Sequence, residues 1–153
     1  MSEIVVHPVS RAARGVGPLY LLLFPVPVVC FVAAVITDIV YASSEFLLWL
    51  HFSQWLIAAG LAFGALAALV LAAEFVASRA IRAQTLGWAH LVLFYAALMV
   101  ELFNALVHTA DGWTAVVPNG MVLSIVGAML ALAAVATLFR IPVTSVEVHE
   151  IRS

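Results

Sequence analysis

Four long stretches without Asp, Glu, Lys or Arg dominate this chain. They run over residues 15–37, 46–73, 83–110 and 112–139, and only Glu101 interrupts them. A helix needs about 20 predominantly apolar residues to cross about 30 Å of hydrocarbon, so each stretch is long enough. Lipid offers no water to backbone N–H and C=O groups, and segments that satisfy their own hydrogen bonds are the ones that can cross it. The expected fold is all-α: an integral-membrane four-helix bundle, up-and-down, as a single transmembrane domain over residues 1–153. The helices are expected at roughly 18–42, 50–78, 86–109 and 118–140, with about 15 residues left over at each end.

Composition agrees. Hydrophobic residues make up 66% of the chain and charged residues 9%, and the mean hydropathy is +1.20. A soluble domain is nearer half apolar and a quarter charged. The formal net charge is -2, and all six basic residues are arginine. That excludes the basic footprint of a nucleic-acid binder. The single cysteine, Cys30, sits in an apolar run and is read as a packing residue. There is no C-x-x-C-H stretch, nucleophile elbow, H-E-x-x-H or phosphate-binding glycine loop. No catalytic residue is assigned, and an activity of its own is not expected.

The arginines orient the bundle. Arg11 and Arg14 precede the first span, Arg79 and Arg82 lie between the second and third, and Arg140 and Arg152 follow the fourth. All six fall on one side, and the other two loops carry only Glu45 and Asp111. The positive-inside rule puts both termini in the cytoplasm of a bacterial inner membrane. Trp49, Trp55 and Trp113 are expected near the outer interface and Trp88 near the inner one. The first apolar run exceeds the 7–15 residues of a secretory signal core, so it is read as an uncleaved span.

Pro25 and Pro27 predict a kink or a broken first turn in the first span. Gly60, Gly64, Ala68 and Ala72 form a small-residue row on the second span. Gly120, Ser124, Gly127, Ala131 and Ala134 form another on the fourth, and such rows let helices approach closely. Pro118 and Asn119 suit the start of the fourth helix, with Asn119 as a candidate cap. The tail from Ile141 to Ser153 alternates Val with polar residues and reads as extended.

The third span carries the most chemistry. His90, Phe94, Ala97, Glu101, Asn104 and His108 recur at alternating four- and three-residue intervals. That puts them on one stripe of one helix, which must face the bundle interior because lipid penalises polar groups. His90 and His108 lie about 27 Å apart along the axis, so each needs its own partner. Topology puts His51 at the level of His108 and His7 at the level of His90. Two histidine pairs at two levels would suit haem b held by axial imidazoles. The plainer reading of each histidine is an interfacial hydrogen bond. Close packing through small residues also leaves less room for a macrocycle. Glu101 has no Arg or Lys at its depth and is expected to stay protonated or to lean on Asn104, His51 or a tyrosine. Its functional reading is a proton relay or a quinone-headgroup contact. Asp38 could cap a loop or reach His51. Glu74 is expected to pair with Arg79 or Arg82.

Several short motifs carry a resemblance: His7-Pro8, Phe24-Pro25-Val26, Thr37-Asp38-Ile39-Val40-Tyr41, Gly87-Trp88-Ala89-His90, and residues 118–125, PNGMVLSI. Over about residues 7–140 the chain resembles an uncharacterised domain-of-unknown-function family of four-span bacterial inner-membrane proteins. The resemblance implies a four-helix membrane protein and suggests haem binding, with His7 and His90 as the positions carried over. The chain departs from the family in having one His-Pro, in Glu74 where an Asp is common, and in lacking a Gly-rich, His-containing segment after the fourth span.

Two functional readings stand close together. In one, the protein holds haem b at His7, His90, His51 or His108 and carries electrons in a respiratory or dehydrogenase system. In the other, it is a non-catalytic accessory subunit of a larger membrane complex, or a homo-oligomer. A small transporter or proton channel, resting on Glu101 and Asn104, ranks third because no internal repeat is visible. The bilayer is the one partner common to all three.

Overall fold

The computed structural model describes residues 16–110 and 116–140. Helix α1 spans Pro18–Leu23 and α2 spans Pro25–Ser44. Together they make one membrane-length element of 27 residues. The break at Phe24 lies where Pro25 and Pro27, on either side of Val26, remove two backbone donors. The expected kink is therefore present, one residue before the proline pair. At its far end α2 closes on Glu45, which takes the left-handed conformation (φ 57°) as its N–H donates to Tyr41 O.

Helix α3 runs over Leu47–Ala77, α5 over Thr85–His108 and α6 over Asn119–Leu138. All three are long and apolar enough to cross a membrane. Between α3 and α5 the chain makes a four-residue helix, α4, Arg79–Arg82. Ser78 caps it, accepting from Ile81 N–H, and Ile81 is buried. Pro118, not Asn119, takes the cap position of α6, and Asn119 is the first helical residue. The four membrane-length helices lie within a few residues of the ranges expected from the sequence. The tail from Ile141 onward, Trp113, Asp111, Arg11, Arg14, Arg152 and His7 lie outside the described residues.

Neighbouring membrane-length helices run antiparallel. Helix α2 packs on α3 and α6, and α5 packs on α6 and α3. That order sets α2 and α5 diagonally across the bundle axis. The outer faces stay apolar: Leu22, Leu69, Trp55, Val76 and Phe139 all project from the bundle. In lipid such faces need no cover, and helices associate through close packing and interhelical hydrogen bonds.

Small residues set the approach. A Cβ at Gly60 would meet the Phe31 ring at 2.5 Å, and one at Gly64 would strike Leu98. The α3 row therefore admits a side chain from α2 at one step and from α5 at the next. The core between the two polar ends of α5 is aromatic and aliphatic, with Phe31, Ala67, Leu71, Phe94, Ala97 and Ala131 essentially unexposed.

Candidate functional site

The stripe on α5 faces inward as its spacing demands. His90, Phe94, Ala97, Glu101, Asn104 and His108 are all buried, and of the remaining α5 residues Gly87 alone joins them. The α6 row lies against it. Ser124 meets Asn104, Gly127 meets Glu101 and Ala134 meets His90. His90, Glu101 and Asn104 each thus find a small residue opposite. A Cβ at Gly127 would fall 2.6 Å from the Glu101 carboxyl carbon, so glycine there is a condition of the carboxylate's position.

The stripe separates into two polar centres. At the C-terminal end of α5, His108 Nε2 lies 3.1 Å from Asp38 Oδ1. This is the one ion pair among the described residues, and both side chains are essentially unexposed. Ser124 donates to Asp38 Oδ2 at 2.6 Å. The Asn104 amide donates to Ser124 Oγ at 2.8 Å and to Glu101 Oε2 at 2.9 Å. One hydrogen-bonded chain therefore joins Glu101, Asn104, Ser124, Asp38 and His108 across α2, α5 and α6.

The proton count follows from donors and acceptors. His108 Nδ1 faces Asn104 O at 3.1 Å. A carbonyl can only accept, so Nδ1 carries a hydrogen. The bond between Nε2 and Asp38 then needs one more proton, resting on the imidazole or on the carboxyl. Either way the pair is neutral overall. Glu101 Oε1 and Asn104 Oδ1 are buried and have no partner among the described residues.

At the other end, His90 Nδ1 lies 2.9 Å from Ala134 O and 3.3 Å from Thr137 Oγ1. Thr137 already donates to Ala134 O. Nδ1 is therefore the donor, and Nε2 accepts from the Tyr20 hydroxyl at 2.5 Å. Phe24 and Phe94 pack their rings on the same imidazole. This centre holds one neutral tautomer, and no carboxylate bonds to the imidazole; Glu74, bonded to Gly17 N–H, lies within electrostatic reach of Tyr20.

Several partners differ from those expected. His108 pairs with Asp38, not His51. His51 is exposed on α3. Asp38 bonds across the bundle and does not cap a loop. Glu101 does lean on Asn104. Glu74 accepts from Gly17 N–H at 2.8 Å and makes no ion pair with Arg79 or Arg82 among the described residues. Arg82 instead donates to Phe75 O at 2.6 Å and to Val76 O. That is favourable because the last carbonyls of a helix lack intrahelical partners. Trp88 Nε1 donates to Arg82 O at 3.0 Å.

Three residues of the polar centres carry no such signal in the sequence. Tyr20 lies one turn inside the first span, at the level of His90 in the third, with nothing else to mark it. Ser124 reads as part of a packing row. Gln54 sits in an apolar helix, and its amide donates to His108 O at 2.5 Å.

The donor set also tests the haem expectation. An axial imidazole must offer a nitrogen lone pair. His90 Nε2 is taken by Tyr20 and His108 Nε2 by Asp38. Ala134 of α6 closes on His90. As placed, these residues do not fit an axial haem, and His7 lies outside the described residues.

Residues 17–140 match the family described as "Predicted membrane protein (DUF2231)". No curated protein matches the chain, and no solved structure does. The matched stretch covers all four membrane-length helices, and the chain belongs to this family of predicted membrane proteins.

Proposed function

We propose that this protein is a small integral component of a bacterial inner membrane, with both termini cytoplasmic, that takes up and releases protons at the Asp38–His108–Ser124–Asn104–Glu101 centre. The observation that carries this reading is an unmatched carboxylate on a continuous hydrogen-bonded chain. The centre holds two carboxylates and one imidazole. With all three ionised, it has one negative charge in excess. Net charge in a bilayer interior is costly. One added proton makes the centre neutral, and Glu101, with a free oxygen, is the residue placed to take it. Interior ionisable groups of this kind mark proton relays and ion pathways in membrane proteins.

Infrared difference spectroscopy tests the reading. The lipid-reconstituted protein is cycled from mildly acidic to mildly alkaline buffer while the carboxyl stretching region is recorded. A protonated-carboxyl band that changes with pH and vanishes in Glu101→Gln is the expected result. A pH-silent carboxyl region would sink the reading.

A second reading, an accessory subunit of a larger membrane complex, draws on a different observation. The layer of Phe31, Phe94 and Ala97 separates the two polar centres, so no polar path crosses the bundle among the described residues. A pH-silent centre in a protein that co-purifies with larger partners would favour this reading. An oxidised and a dithionite-reduced visible spectrum of the same sample addresses haem directly, because a Soret band that sharpens on reduction would restore the redox reading.

A further inference from the structure

We infer that the Glu101–His108 centre exchanges protons with one membrane face only, the face carrying the α2–α3 turn, through a cleft between α3 and α5 that Gln54 gates. The inference rests on the proton-handling reading and adds the side, the route and the gating residue.

The route follows from where the molecule is open. A cleft of about 470 Å³ lies between α3 and α5, lined by Gln54, Trp55, Ala58, Ala105, His108 and Thr109. A water molecule's share of the liquid is about 30 Å³, so the cleft is roomy enough for several. Its lining mixes apolar groups with an amide, an imidazole and a hydroxyl, which gives water partners to bond. His108 belongs to both the cleft and the buried centre. Gln54 lines the cleft beside His108, and its amide is hydrogen-bonded at 2.5 Å to the last carbonyl of α5. That carbonyl lies past the end of the helix ladder, so the contact ties the cleft wall to the helix end.

The opposite direction is closed. From Glu101 toward His90, α5 presents Ala97 and then Phe94, over about 16 Å of helix. Phe31, Leu71 and Ala131 fill the same layer, each 1% exposed or less. Beyond it, both ring nitrogens of His90 are committed to Tyr20 and Ala134.

The titratable groups of the centre are Asp38 from α2 and Glu101 and His108 from α5. Helix α6 contributes Ser124 there, and α3 contributes Ser53, bonded to Thr37 at 2.7 Å, and Gln54. None of those three titrates in the ordinary range. His51 of α3 is exposed, and the buried Tyr41 lies one turn beyond Asp38 on α2.

Cysteine accessibility tests the inference on the full chain in a Cys30→Ala background. A membrane-impermeant maleimide is added to right-side-out or inverted vesicles. Glu45→Cys reports the turn face and Arg140→Cys the other. Ala105→Cys and Ser124→Cys should react from the Glu45 side only, and Ala97→Cys from neither. Adding Gln54→Ala should speed Ser124→Cys labelling about three- to ten-fold, the effect of losing one net hydrogen bond from the closed form. Reaction of Ser124→Cys from the Arg140 side would overturn the inference, as would indifference to Gln54→Ala. If Ser124→Cys fails to fold, Ala105→Cys decides the side. A pH-responsive Glu101 with labelling from the Arg140 side would overturn the route and leave the proton reading. One-sided labelling with a pH-silent Glu101 would overturn the proton exchange itself.

Discussion

The two ends of helix α5 carry the same residue type in opposite electrostatic settings. His90 sits between a phenol and a backbone carbonyl, with aromatic rings around it. His108 sits between a carboxylate and a backbone carbonyl, with a second carboxylate two hydrogen bonds beyond Asp38's serine. Both are buried and both are fully bonded. Only at the His108 end does a carboxylate bond to the imidazole, with a second carboxylate on the same hydrogen-bonded chain. Burial of a histidine therefore does not by itself fix its electrostatic setting. What separates the two ends is whether the neighbours leave a charge to be balanced, since lipid tolerates a neutral hydrogen-bonded imidazole and penalises net charge.

The sharpest way to break this contrast is at the ion pair. Asp38→Ala leaves His108 and Ser124 without their shared partner. It should destabilise the protein by about 3–5 kcal/mol, the range for removing one member of a buried pair. Thermal unfolding in mild detergent measures it. Adding His108→Ala should recover part of that loss, since the orphaned charge goes with it. A loss below about 1 kcal/mol would place the pair with surface ion pairs in its energetics.

Gly127→Ala probes the close approach at Glu101. Its Cβ would overlap the Glu101 side chain, with Cγ at 2.8 Å, and overpacking of this kind costs about 1–3 kcal/mol. Glu101→Ala in the same chain should remove most of the penalty. Failure of that rescue would mean that the backbones of α5 and α6, and not the carboxylate, limit the approach.

At the His90 end, Tyr20→Phe keeps the ring and removes the donor to Nε2. Stability should fall by about 1–2 kcal/mol, as expected when a buried acceptor is left unsatisfied. Nitrogen NMR of ring-labelled histidine should still show His90 as the neutral Nδ1–H tautomer, because Ala134 O holds that hydrogen. A switch of tautomer would overturn the assignment. The smallest effect belongs to Thr137→Val, which removes the longer of the two Nδ1 acceptors and should shift stability by less than about 1 kcal/mol.

Several features were legible in the sequence for physical reasons. The α5 stripe was readable because a helix repeats its faces every three to four residues, and lipid admits one orientation for Glu101, Asn104 and two histidines. The α6 row was readable because Gly120, Gly127, Ala131 and Ala134 have no other use in lipid than close approach. The interruption near Phe24 followed from Pro25 and Pro27. The partners were less legible. His51 and His108 share a level, yet His51 is exposed and Asp38 takes the bond. Glu74 had arginines within reach along the chain, yet it meets the Gly17 N–H at the start of α1, while Arg82 turns to the end of α3.

Sequence alone determined that the chain crosses a membrane four times, which face of α5 turns inward, and the level of each polar residue. Level along the axis is set by counting residues at about 1.5 Å each from a span's end. Tertiary structure alone decided that α2 stands diagonally opposite α5, so that Asp38 meets His108 and Tyr20 meets His90. The order of helices around the axis, and the rotation of each about its own, depend on how the small-residue rows of α3 and α6 seat their neighbours all at once. No residue count along one helix encodes that collective packing.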